Sequence, residues 1–120
     1  MSKRYGKTNF DDVADLAPKF GTEDVGAEGI GATLYRMNPD RRTGFGHRHA
    51  AVEELYVVLS GSGRVKIDDD VLDMGAFDAV RVAPEAVREF ESGPDGMVLL
   101  ATGTHADGDG ELVQGFWPAD

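Results

Sequence analysis

The chain has 120 residues, with 12 Lys and Arg against 22 Asp and Glu, no cysteine, and a formal net charge of −10. One domain is expected at that length, able to bury about two thirds of its unfolded surface. The acidic balance argues against nucleic acid or an anionic membrane as partner, and the missing cysteine excludes disulfides and thiolate metal ligands.

Taken in chain order, Met1-Ser2-Lys3-Arg4-Tyr5-Gly6 has basic residues but no apolar stretch after them. No later run approaches the about 20 apolar residues of a membrane span. A cytoplasmic location without membrane contact is the expectation. Phe10, Val13 and Leu16 stand three apart and Pro18 closes the segment, which predicts a short helix or turn over 10–17. Beyond it, β-type runs alternate with turn residues. Strands are predicted over 32–37, 46–50, 54–59, 64–67, 71–74, 79–82, 88–91 and 97–101. Asn38-Pro39-Asp40, Gly61-Ser62-Gly63, Asp68-Asp69-Asp70, Ala83-Pro84-Glu85 and Gly93-Pro94-Asp95-Gly96 punctuate them. Short strands so spaced predict an all-β antiparallel sandwich or barrel.

The segment His47-Arg48-His49, with Glu54 five residues on, carries the chemistry. Side chains alternate along a strand, so His47 and His49 share a face and Arg48 takes the opposite, solvated one. Two imidazoles and a carboxylate converging on one point make a partial shell for a divalent metal. Tyr56 shares strand parity with Glu54 and belongs beside it as a pocket wall or as core.

These residues resemble the cupin family, small jelly-roll β-barrels. The first family motif is matched by His47-x-His49, a four-residue spacer to Glu54, and six residues to Gly61. Glu54 fits that spacing and Glu53 does not. The leading glycine departs from the pattern, since Gly44 and Gly46 stand closer than five residues to His47. Gly75, the run Ala79-Val80-Arg81-Val82 and Pro84 match the opening of the second motif. The resemblance covers about 32–102, which leaves 1–31 as an N-terminal arm and 103–120 as a C-terminal tail of a single cupin domain.

The family's third histidine falls where this chain has Arg88. Alternation places Arg88 on the face of Phe90 and sends Glu89 and Glu91 to solvent. A guanidinium about 5 Å from a dication is repelled by about 6–7 kcal/mol at an effective dielectric of about 20. Two resolutions are open. A bidentate Arg88–Glu54 pair would fill the place of the metal. Alternatively His47, His49 and Glu54 alone hold iron, manganese, nickel or zinc, with Arg88 at the pocket mouth as a ligand-binding residue.

Elsewhere the readings are plainer. Asp68–Asp70 is an exposed hairpin tip. The run from Asp107 to Glu111 lacks the ligand order of a calcium loop, and His105 is expected in solvent. Gly61-Ser62-Gly63 is a turn without phosphate-binding context. Phe116-Trp117-Pro118 is expected to pack on the barrel or on a second subunit, and no serine or carboxylate pair is set for nucleophilic or acid–base catalysis.

Three functions follow from these residues. The first is a small-molecule barrel in which Arg88 grips a carboxylate and His47 and His49 donate hydrogen bonds. The second is a metal-dependent oxygenase or isomerase acting on a small anionic substrate. The third is a homodimeric structural or sensing module joined through Phe116 and Trp117.

Overall fold

The computed structural model describes residues 4–11, 15, 18–104, 106 and 108–118. Its elements run β1 (Lys19–Phe20), α1 (Gly21–Val25), β2 (Ile30–Met37), β3 (Gly46–His49), β4 (Glu54–Ile67), β5 (Asp70–Gly75), β6 (Ala79–Val82), β7 (Arg88–Thr104) and β8 (Gly110–Val113). Every strand pairing is antiparallel, and the sheet runs β1-β2-β7-β3-β8, with β4 joining β5, β6 and β7. The sheet curls on itself into the jelly-roll shape expected from the sequence.

Strand β7 is the spine. Its first part, Arg88–Ser92, pairs with Gly63–Ile67 of β4 and touches β3 at His47↔Arg88. Its second part, Met97–Thr104, lies between Glu54–Gly61 of β4 and the whole of β2. Both β4 and β7 were expected as two strands each, broken at Gly61-Ser62-Gly63 and at Gly93–Gly96. The structure carries each strand through its glycines, with a register shift between Gly61 and Gly63. The reason is close approach: a Cβ on Gly61 would meet the Gly96 carbonyl oxygen at 2.1 Å, and one on Gly63 the Glu91 oxygen at 2.1 Å. These glycines let two backbones bulge against each other rather than reverse the chain.

Val58, Val65, Val82, Leu99, Met37 and Met97 fill the inside, and the Tyr56 ring packs 4.6 Å from the Phe90 ring. Helix α1 is a single turn ended by Gly26 at φ 71°, with no side-chain cap at Phe20. Most of the helix expected over 10–17 lies outside the described residues, as does His105. Of that stretch, Asp15 accepts the Asn38 N–H at 2.7 Å.

The C-terminal residues contribute a strand. Strand β8 pairs with all four residues of β3, and the chain beyond it folds over the outer face of β4 and β7. There Trp117 lies under the Arg42 guanidinium at 4.3 Å and near that of Arg64 at 5.2 Å, while Lys66 sits 4.5 Å over Phe116. That cover overturns one expectation. Glu89 does point outward, yet it is buried at 2% exposure, with the Gly44 and Trp117 N–H groups on its carboxyl. Burial pushes its pKa up against those bonds. Glu91 binds Arg42 at 2.6 Å and Arg64 at 2.7 Å.

Candidate metal centre

Strand β3 presents His47 and His49 on its inner face, and β4 opens with Glu54 pointing to the same place. One ligand atom from each lies within 4.8 Å of the others. Glu53 is exposed and pairs with Arg81, so the motif glutamate is Glu54. Arg48 faces out and binds Glu111 at 2.9 Å.

Tyr56 ties the group together. Its hydroxyl donates to Glu54 Oε1 at 2.5 Å and lies 3.2 Å from His47 Nε2. Burial raises the Tyr56 pKa well above the usual phenol value, and the Glu54 charge raises it further. Tyr35 is pushed up to about 12, chiefly by burial and secondarily by Glu54. Both phenols therefore stay protonated at neutral pH.

Burial also acts to raise the Glu54 pKa, but bonds to His47 and Tyr56 and the nearby imidazoles outweigh it. The carboxyl ends at about 2. It is ionised across the physiological range.

His49 is less satisfied. Its Nε2 is 2.9 Å from Glu54 Oε1 and its Nδ1 is 3.4 Å from Asp109 Oδ2. Neither contact has hydrogen-bond geometry, and both nitrogens are buried without a hydrogen-bond partner among the described residues. An unpaired buried polar atom costs about 1–3 kcal/mol, so the position needs a further reason. A lone pair kept for a metal is one, because the nitrogen and oxygen donors here suit iron, manganese, nickel or zinc. The donor set fits such an ion.

Asp109 is the residue that sequence reasoning missed. It lies in the loop before β8 and accepts the N–H groups of Ala50, Ala51 and Val52 at 3.0–3.3 Å. Burial disfavours its charge, but those three donors hold its pKa low. It fixes the chain between the histidines and Glu54 from a segment expected to be a tail. No local spacing in the sequence announces such a long-range contact.

Arg88 points inward because it faces His47 directly across the strand pair, and directly opposed residues share a face. It is fully buried. Its guanidinium donates to the Ala83 carbonyl at 3.1 Å and the His47 carbonyl at 3.4 Å, while Nη2 is 4.0 Å from Glu54 Oε1. The bidentate Arg88–Glu54 pair is therefore not formed, because backbone carbonyls take the guanidinium. Nor does Arg88 sit at a pocket mouth: it stands behind Glu54.

The ligand atoms face a cavity of about 500 Å³ whose walls include Tyr35, Met37, Phe45, Tyr56, Phe90 and Leu99. Among the described residues, no helix is long and apolar enough to cross a membrane.

The sequence profile of the cupin domain matches residues 33–102. No curated protein matches the chain. Among solved structures, a cupin protein from Bacteroides fragilis superposes with a TM-score of 0.75 at 26% identity, over 89% of this chain and 89% of that one. A conserved protein with a double-stranded β-helix domain from Klebsiella pneumoniae gives 0.67 at 16% identity, over 73% and 77%. Salicylate 1,2-dioxygenase from Pseudaminobacter salicylatoxidans gives 0.59 at 10% identity, over 64% of this chain and 21% of that chain. The last two likenesses concern the fold alone.

Proposed function

The chain belongs to the cupin family, and on that premise we propose that it binds a small molecule beside a divalent metal held by His47, His49 and Glu54. The observation that carries this reading is His49, whose two buried ring nitrogens lack hydrogen-bond partners among the described residues while Glu54 stands beside them. When bound, iron, manganese, nickel or zinc supplies a Lewis acid that polarises a ligand oxygen.

The protein residues have separate tasks. Glu54 is held ionised by its neighbours, ready to ligate. Tyr56 gives its single hydroxyl proton to Glu54 Oε1 and so fixes the orientation of that carboxylate. Arg88 puts a fixed positive charge behind Glu54, where it moderates the carboxylate without entering the cavity. Its opposition to a dication is reduced by the negative charge between them and by its bonds to the Ala83 and His47 carbonyls.

The metal-bound reading is preferred over the metal-free barrel because no arginine or lysine lines the cavity among the described residues. A carboxylate grip by Arg88 would require the side chain to leave its buried place. A cytoplasmic homodimer remains part of the proposal, through outer sheet residues such as Leu55 and Leu59, which are exposed. Phe116 and Trp117 are already covered by the chain's own cations.

Titration of metal-stripped protein with cobalt(II) tests the ligand set. A saturable visible spectrum is expected in the wild type and is lost in His49→Ala, whose circular dichroism stays native. An unchanged spectrum in His49→Ala, or none in the wild type, contradicts the assignment.

A further inference from the structure

The cavity over the three ligand atoms restricts what can enter it. His47, His49, Glu54 and Tyr56 form one polar cluster in its lining, Thr33, Thr43 and Glu111 add further polar groups, and Phe45, Phe90 and Leu99 belong to its apolar wall. The rim is apolar too: Phe20 is 62%, Phe45 37% and Leu112 59% exposed. Large apolar side chains left in water around a concavity mark a binding mouth more than a bare surface.

Charge narrows the choice further. Glu54 and Glu111 line the cavity, and no lysine or arginine does among the described residues. Arg48 is tied to Glu111 on the outside of β3, and Arg88 is shut behind Glu54 with its two Nη groups on the His47 and Ala83 carbonyls. A dianionic phosphate entering here would lose its water and find no guanidinium or ammonium to replace it. With Glu111 paired to Arg48, a dication beside the Glu54 carboxylate leaves a single net positive charge at the ligand atoms, enough for one anionic oxygen.

We infer that the ligand is a neutral or monoanionic ring compound, apolar over most of its body, with oxygen donors on one edge. That edge meets the His47, His49 and Glu54 cluster, and the ring packs on Phe45, Phe90 and Leu99. The polar edge rests on the metal reading above; the apolar body rests on the cavity walls alone.

Calorimetric titration of the full chain, zinc-loaded and zinc-free, with 4-nitrocatechol and with ribose 5-phosphate tests this. The zinc-loaded protein is expected to bind 4-nitrocatechol at least about tenfold more tightly than ribose 5-phosphate, and the zinc-free protein to keep that order more weakly. Phe45→Ala, a change at the rim, is expected to weaken 4-nitrocatechol about three- to tenfold with zinc content unchanged.

Ribose 5-phosphate binding as tightly as 4-nitrocatechol overturns the ligand class, as does failure of both protein forms to bind 4-nitrocatechol. An unaltered affinity in Phe45→Ala overturns the seating of the ring. Loss of zinc loading with the preference intact overturns the metal reading and leaves the ligand class standing.

Discussion

Glu54 is a carboxylate half inside a protein and still ionised, because each group around it favours the charge. Tyr56 donates to it, His47 and His49 stand within 3.5 Å, and Arg88 lies behind it at 4.0 Å. Its pKa of about 2 in the fold lies below the ordinary 4.5. A depressed carboxyl contributes stability that is complete above the unfolded value and is lost as pH falls through the folded one. The window is therefore pH 4.5 down to about 2. In metal-free protein, Glu54→Gln should cost about 2–3 kcal/mol at pH 7 and progressively less toward pH 2.5, read from urea denaturation. A cost that stays constant with pH would show that Glu54 does not carry the effect.

At the scale of elements, β3 is a short strand and its position depends on its neighbours. It meets β7 at one residue pair and β8 at four, so the C-terminal segment holds the strand that bears both histidines. The segment is anchored past β8 by Trp117 between two arginines and by the Arg42 bonds to the Trp117 and Pro118 carbonyls. Trp117→Ala should therefore destabilise the fold by about 1–3 kcal/mol in urea while leaving the sedimentation coefficient unchanged. A shift to a smaller species at unchanged stability would instead place Trp117 at a contact between copies.

This element also shows where the sequence was silent. Strand β8 carries Gly110 and follows Gly108, and its side chains are mostly exposed, so it lacks the alternation that marked β2, β6 and the ends of β4. The merged strands were hidden for the opposite reason. Glycine and proline at 61–63 and 93–96 look like turns, but a missing Cβ also permits close packing of two strands, and only the partner decides which. The site was more legible than the edges. His47, His49 and Glu54 converge through strand alternation and motif spacing, and the same alternation turned Arg88 inward. The partners of Arg88 were not legible, because backbone carbonyls leave no trace in side-chain pattern.

At the scale of the whole molecule, a net charge of −10 creates a field that concentrates cations around a barrel whose inner end holds an anionic ligand set. The same fold supports unrelated activities, so barrel and motif locate the site while the cavity wall selects the ligand. Here the two pull in different directions. His47, His49 and Glu54 have the donor atoms that could hold a metal ion, and Arg88 stands directly across the strand pair from His47. The central claim is that His47, His49 and Glu54 hold a divalent ion despite that arginine. Elemental analysis of protein purified without a metal column or added chelator, beside Arg88→His, tests it most directly. The wild type is expected to carry close to one divalent ion per chain, and Arg88→His to hold it at least as tightly. A wild type that is empty contradicts the claim: if Arg88→His fills, Arg88 blocks the site, and if it too stays empty, the histidine pair is not a metal centre.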